Sequence, residues 1–242
     1  MRANEHWHHF LNAHVIGMER TNEMIPAPLK QKTRLDEPKR KRWYLLSKRL
    51  FDVTFSLIAM LVLSPVFLIT AIAIKIEDPK GKVFYTAPRG GLHGIPFPCY
   101  KFRSMYADAD AIKSALASRN EMHGPVFKIK NDPRITKVGR FIRKTSIDEL
   151  PQLMNVLQGH ISFVGPRPLP IAEAAAIPPE YKERERVLPG ITCIWQISGR
   201  NDVDFSEWME MDLTYVHAQS FWLDMKILLL TLPAVFAHRG AS

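Results

Sequence analysis

Residues 53–74 read VTFSLIAMLVLSPVFLITAIAI, a run without a single charge. At about 1.5 Å per residue a helix of that length reaches the roughly 30 Å of a bilayer core. The run is too long and too uniformly apolar for an ordinary core helix, so it belongs in lipid. Some fifty residues precede it and no small-residue cleavage site follows, which argues against a cleaved signal peptide. Ser64-Pro65 sits at its middle. Proline lacks a backbone donor and clashes with the preceding turn, so the helix should break or kink there, with the Ser64 hydroxyl satisfying part of the freed backbone. Each half, 53–64 and 65–74, is then too short to cross alone. Positive charges normally stay on the cytoplasmic side. Lys39, Arg40, Lys41, Arg42, Lys48 and Arg49 precede the run, and Lys75, Lys80, Lys82 and Arg89 follow it. Both ends therefore want the same side, and a re-entrant helix-break-helix is favoured over a proline-kinked spanning helix.

Outward from this segment, the chain divides into a poorly ordered tail at 1–38, an amphipathic lead-in and membrane segment at 39–75, and a catalytic-sized domain at 76–242. The tail carries Pro26, Pro28 and Pro38, and His6, His8, His9 and His14 read as a solvated N-terminus rather than a metal site. Residues 44–51 read as a membrane-surface lead-in, with Lys48 and Arg49 reaching toward head groups. The 242 residues are 46% hydrophobic and 24% charged, which excludes a disordered, collagen-like or polytopic membrane chain. Cys99 and Cys193 stand apart with no CxxC pair, so no disulfide framework or zinc site is indicated and a reducing compartment fits.

Short strands are expected at 83–85 and 97–102, joined by the turn Gly90-Gly91-Leu92-His93-Gly94, and the alanine-rich 108–119 favours helix. In the helix expected over 137–144, Val138, Phe141 and Ile142 form one face. Leu150, Leu153, Met154 and Leu157 repeat at helical spacing, and Gly159 ends that helix. Pro166-Arg167-Pro168 fixes an extended turn that presents an arginine. Asp204-Phe205-Ser206-Glu207 has capping-box spacing before a helix to about Val216. Residues 221–236 are apolar but carry Asp224, Lys226 and Pro233, and read as interfacial. The fold class is α+β: the re-entrant membrane helix-break-helix, then a compact, mainly helical cytoplasmic domain with short strands and interfacial amphipathic helices.

The formal charge of +9 comes from 33 Lys+Arg against 24 Asp+Glu, with the excess concentrated in residues 75–167 and only the C-terminal block, 168–242, net acidic. Such a local excess points to an anionic partner: nucleic acid, anionic lipid head groups or a phosphorylated small molecule. Within residues 75–167, directly after the most basic stretch, stand two adjacent carboxylates, Asp148 and Glu149, followed by Pro151. Proline is easily tolerated only in a helix's first turn, so the pair lies at or just before a helix start. The bland reading is a helix cap. Against it stand Lys128, Lys130, Arg134, Lys137, Arg140, Arg143 and Lys144, more positive charge than a cap needs and enough to draw in a polyphosphate. One carboxylate can then attack phosphorus while the other holds Mg²⁺, which favours carboxylates plus substrate phosphates.

Several ordered motifs now accumulate: Lys48-Arg49-Leu50-Phe51-Asp52, Ser64-Pro65, Tyr100-Lys101-Phe102-Arg103-Ser104-Met105, and Arg143 through Gln152. Beyond them come Ser162 through Pro168, Pro189-Gly190-Ile191-Thr192 and Trp195 through Arg200. In these the sequence resembles the bacterial sugar transferase family, the monotopic polyprenyl-phosphate phosphoglycosyl transferases, from about Lys48 to the C-terminus. The resemblance implies transfer of a hexose 1-phosphate from a UDP-sugar to undecaprenyl (polyprenyl) phosphate with release of UMP, initiating exopolysaccharide or other glycoconjugate synthesis. It implies Asp148 as nucleophile, forming a sugar-phosphoryl-aspartate, and Glu149 as a ligand of the Mg²⁺ cofactor. Lys101, Arg103, Arg143, Arg167 and Arg200 match basic positions that grip phosphates. Ser64 and Pro65 match the membrane break. The implied setting is the bacterial inner membrane, with the catalytic domain on the cytoplasmic face among anionic lipids, and with no part for nucleic acid. An oligomer is compatible with all of this. Long family members carry a multi-span N-terminal bundle that residues 1–38 replace here, so the short exopolysaccharide-initiating enzymes are the best match. The rival readings are a metal-dependent phosphohydrolase using the same carboxylates, and a basic membrane-anchored binding module.

Overall fold

A computed structural model describes residues 42–109, 132–198 and 203–236. The expectations for the tail at 1–38, for most of 108–119, and for Lys128, Lys130 and Arg200 lie outside these residues. The described chain is mixed and mostly helical, compatible with α+β.

Helix α1 (Arg42–Val62) and helix α2 (Ser64–Glu77) meet at 60°. The lead-in and the first apolar half form one continuous helix, and the break falls at Leu63, one residue earlier than expected. The reason is local. A proline is accommodated in a first turn, so the helix restarts at Ser64 with Pro65 inside that turn. The missing Pro65 N–H orphans the Leu61 carbonyl, and the Ser64 hydroxyl donates to it at 2.8 Å. Leu50, Leu61, Val62, Leu68, Ile69, Ile72 and Ile76 are exposed along the pair. No single described helix is long and apolar enough to cross a membrane, although the bent pair passes that test together.

Two residues of α1 overturn the head-group expectation. Lys48 points inward and is buried: its Nζ donates to Asp224 at 2.7 Å, the Val164 carbonyl at 2.9 Å and the Tyr215 hydroxyl at 3.2 Å. Arg49 donates to the Val156 and Leu157 carbonyls at 2.6 and 2.7 Å. Those carbonyls close the helix Gln152–Gln158, and a guanidinium fork at a helix C-terminus satisfies orphan acceptors and opposes the dipole. Head groups cannot compete with partners already in place.

Strands β1 (Phe84–Gly90) and β2 (Pro96–Phe102) pair antiparallel, from Phe84 opposite Phe102 to Gly90 opposite Pro96. β1 runs well past the expected Tyr85. Both strands are edges of a two-stranded ribbon, so Pro88 and Pro98 sit in it without costing a ladder bond to a further strand. Helix α3 (Lys137–Lys144) is capped by Thr136, whose hydroxyl accepts from Gly139 N at 2.8 Å. Ile142 is buried and Val138 half-buried, but Phe141 is 62% exposed, so the expected three-residue face loses one member.

After α3 comes a single 3₁₀ turn, Ile147–Glu149, then helix α4 (Gln152–Gln158). Gly159 closes α4 in the left-handed region at φ 80°. The buried face of α4 is Gln152, Leu153, Asn155 and Val156, while Met154 is exposed. Polar Asn155 explains the departure from the leucine spacing. Its side chain donates to the Pro98 carbonyl at 2.6 Å and accepts from Tyr100 N at 2.9 Å, stitching α4 to β2.

Short strands β3 (Ser162–Val164) and β4 (Gly190–Thr192) run parallel. Their ends approach so closely that a side chain on Gly165 or Gly190 would strike the other strand's backbone. Helices α5 (Ile171–Ala175), α6 (Ile194–Ile197), α7 (Phe205–Ala218) and α8 (Phe221–Phe236) complete the body. Asp204 caps α7 through Glu207 N at 2.8 Å, as its spacing predicts. In α8, Asp224 and Ile227 are buried against the protein while Trp222 and Leu229 face outward. The main core gathers Phe97, Leu153, Val156, Ile161, Val164 and Tyr215.

Candidate active site

The turn Ile147–Glu149 holds Asp148 and Glu149, and Pro151 stands at the cap position of α4, where no side chain accepts a capping bond. Neither carboxylate caps that helix, so the bland reading of the pair fails. Ser146 enters the turn at φ 58°, a left-handed conformation uncommon outside glycine. Its N–H donates to the Arg143 carbonyl and its own carbonyl accepts from Glu149 N, each at 3.2 Å, which turns the chain sharply out of α3.

Lys101 comes from β2 and Arg167 from the loop after β3. Lys101 Nζ lies 2.7 Å from Glu149 Oε1 and 3.9 Å from Asp148 Oδ2. Arg167 Nη2 reaches the same Glu149 Oε1 at 2.9 Å. Two adjacent carboxylates thus receive unequal treatment. Burial alone would raise Glu149, but Arg167 and Lys101 outweigh it and hold its carboxyl well below the usual range. Burial pushes Asp148 up to about 6, with the Glu149 charge adding to it and Lys101 and Arg143 opposing.

The residues singled out in the sequence separate as follows. Lys101 and Arg167 meet Glu149, and Arg143, in the last turn of α3, acts on Asp148 through its charge. Arg103 leaves the group: its Nη1 lies 4.0 Å from Asp78 Oδ2, beside Gly81, and no hydrogen bond joins it to either carboxylate among the described residues. Ser64 and Pro65 stand at the bend of the helix pair. The dense basic run before Asp148 contributes less than its composition suggests. Arg134 forks onto Asp132, and Lys137, Arg140 and Lys144 are exposed. The cations at the dyad come instead from distant β2 and the β3 loop.

Sequence reasoning missed Arg89 at this site, counting it only among the charges flanking the apolar segment. It lies in β1, where burial first and the Arg167 charge second lower its pKa. Its Nη1 donates to the Pro168 carbonyl at 3.3 Å. Its place in Pro88-Arg89-Gly90-Gly91, a basic residue in a glycine-rich turn, is the signal that was available. Neither cysteine competes as nucleophile: burial raises the Cys99 thiol and pushes Cys193 up to about 12.

Among the described residues no three His, Cys, Asp or Glu cluster as a metal cage. The donor set nonetheless fits Mg²⁺, which takes one or two carboxylates plus substrate phosphate oxygens. Among the described residues both cations bond Glu149 through Oε1, and no hydrogen bond reaches Oε2.

Comparison with known proteins places this geometry. The pattern of the family described as bacterial sugar transferase matches residues 43–238. The galactosyl transferase CpsE of Streptococcus agalactiae is 45% identical over 202 residues, covering 82% of this chain and 44% of that protein. The undecaprenyl-phosphate galactose phosphotransferase of Salmonella typhimurium is 43% identical over 206 residues, covering 83% and 43%. The exopolysaccharide production protein ExoY of Sinorhizobium fredii is 40% identical over 205 residues, covering 81% and 88%. The chain thus spans less than half the length of the first two relatives and most of the third. With its matched region running from α1 through α8 and enclosing both the bent helix pair and the carboxylate turn, the chain belongs to the bacterial sugar transferase family.

Proposed function

We propose that this chain transfers a hexose 1-phosphate from a UDP-sugar to polyprenyl phosphate, releasing UMP. The observation that carries the chemistry is the unequal pair: Glu149 is fixed as an anion by two cations, while Asp148 is held by neither at hydrogen-bond distance. An Asp148 oxygen attacks the sugar-bearing phosphorus, and the bond from that phosphorus to the bridging oxygen breaks, so UMP departs with the electron pair. A phosphate oxygen of the lipid then attacks the same phosphorus, and the aspartyl O–P bond breaks to restore the carboxylate. The products are UMP and a polyprenyl diphosphate sugar. Lys101, Arg167 and Arg89 bring positive charge to where the diphosphate must sit. Glu149 is the residue that would hold Mg²⁺, which when bound would neutralise phosphate charge.

The bent pair is read as re-entrant, residues 39–75 forming the membrane part and 76–242 a domain on the cytoplasmic face of the bacterial cell membrane, among anionic lipids. Contacts at the two ends of the pair support this. Arg49 in α1 bonds the end of α4, and Glu77 at the end of α2 accepts from Lys137 N and Val138 N at the start of α3. Two ends that flank one turn of one domain lie on one side of a bilayer. The labelled-donor experiment tests the function: nanodisc-held protein with donor labelled in the sugar phosphate, without lipid acceptor, should trap label on wild type and none on Asp148→Asn. Label on both removes Asp148 as nucleophile, and turnover without lipid makes the protein a hydrolase. Cysteines placed at Leu45 and Lys80 should react from the same face, against a low background because Cys99 and Cys193 are buried. Opposite faces would make the segment spanning.

A further inference from the structure

The loop that presents Arg167 is gripped along its backbone to an unusual degree. Four consecutive carbonyls, of residues 166–169, accept from three places: β1, β4 and the Arg184 side chain. Gly190 N donates to Pro166 O at 3.0 Å, Arg184 Nη2 to Arg167 O at 2.7 Å, Arg89 Nη1 to Pro168 O at 3.3 Å, and Gly90 N to Leu169 O at 2.9 Å. Prolines on either side of Arg167 already restrict this backbone. The Arg184 bond is the shortest of the four and comes from a buried guanidinium, 6% exposed, in the 3₁₀ stretch Pro179–Arg186. Arg184 is itself seated by Asp212 of α7: its Nε and Nη2 reach Asp212 Oδ2 at 2.9 and 2.8 Å, and Asp212 is 1% exposed.

A buried ion pair is a poor investment for stability alone, since desolvation takes back most of the attraction. Burial pushes the Asp212 carboxyl up to about 6 even against the Arg184 charge, so the pair is costly here too. What the pair delivers is placement: one guanidinium, held flat by one carboxylate, spends its remaining reach on the carbonyl of the residue that bonds Glu149. We infer that Arg184, seated by Asp212, is a positioning residue that fixes the Arg167 backbone and so aims the Arg167 guanidinium at Glu149 and at the donor phosphates. Its hold on the loop stands by itself, and its effect on rate rests on the phosphotransfer reading given above.

Arg184→Lys keeps a charge for Asp212, but an ammonium cannot reproduce the fork that serves carboxylate and carbonyl together. The first readout needs no substrate. Amide hydrogen exchange at Gly90 and Gly190, whose N–H groups donate into the same loop, should become about tenfold faster in Arg184→Lys while α4 amides keep their rates. Unchanged exchange at Gly90 and Gly190 overturns the inference. The second readout is a double-mutant cycle in kcat/KM for a UDP-hexose with polyprenyl phosphate. Arg184→Lys should lose about tenfold in the wild-type background and under about twofold beside Arg167→Lys, because the pin then has less to aim. Equal losses in both backgrounds mean a merely structural role. Should Arg184→Lys fail to fold, Asp212→Asn, which keeps an acceptor and loses the charge, carries the same two readouts. If wild type makes no lipid-linked product with any UDP-hexose, the transfer reading falls while the exchange result still decides the pin.

Discussion

Asp148 carries a testable signature in its proton. Burial raises its pKa from 3.8 to about 6, so the native state holds the proton more tightly than the unfolded chain. The sign follows: its contribution to stability is fully present below about pH 4 and is lost as pH rises through about 6. Asp148→Asn, neutral in both states, escapes that loss. With divalent cations chelated, it should be more stable than wild type by about 1–3 kcal/mol above pH 7, and the gap should close as pH falls toward about 4. Thermal unfolding across that range checks it, and a gap that does not move with pH removes the buried-carboxyl account. At this scale the sequence was informative about residue type and poor about company. The adjacency of Asp148 and Glu149 is readable, as is the proline that places them before a helix. Their cations are not readable from local charge density, which pointed to Arg134 and Lys137: Lys101 and Arg167 arrive from a strand and a loop far along the chain, and only the motif resemblance singled them out.

Elements were legible where a signal is local and lost where a distant partner decides. The break at Ser64-Pro65, the glycine that ends α4 and the Asp204 cap are written in a few adjacent residues. Phe141 departs from its helical face, and Asn155 occupies a buried one, because what lies opposite is set by tertiary contacts that periodicity does not encode. Asn155 offers a measurement of that kind of information. Both of its amide atoms are used, the NH₂ on Pro98 O and the oxygen on Tyr100 N, either side of Cys99 and one residue before Lys101. Asn155→Asp keeps shape but, at a fully buried side chain, replaces the donor with an acceptor facing the Pro98 carbonyl. It should cost about 2–3 kcal/mol, more than a surface change on the same helix, read by chemical denaturation of the detergent-held protein. A cost within about 0.5 kcal/mol would mean that α4 and β2 are joined by apolar packing alone.

Across the described residues, the carboxylate turn is suspended between two helices that the bent helix pair holds. Glu77 closes the first turn of α3, which precedes the dyad, and Arg49 closes the last turn of α4, which follows it. Asp52 adds a third tie, accepting from Ser162 Oγ at 3.1 Å and Phe163 N at 3.2 Å at β3, whose following loop carries Arg167. Lys48 adds the fourth, with Asp224 of α8, Tyr215 of α7 and the Val164 carbonyl converging on its ammonium. The residues of the Lys48-Arg49-Leu50-Phe51-Asp52 run that looked like head-group contacts are therefore the fastening between the apolar pair and the site-bearing body. Breaking that fastening should differ from removing it. Lys48→Met leaves Asp224 buried with, among the described residues, the Tyr215 and Tyr44 hydroxyls as its remaining side-chain donors, and should cost about 3–5 kcal/mol. Adding Asp224→Leu takes away the stranded carboxylate, so the double variant should regain at least half of that loss, about 2 kcal/mol, in thermal unfolding of the nanodisc-held protein. Losses that simply add would mean that Lys48 and Asp224 each support the body through separate contacts, and that α1 is held by Arg49 and Asp52 without them.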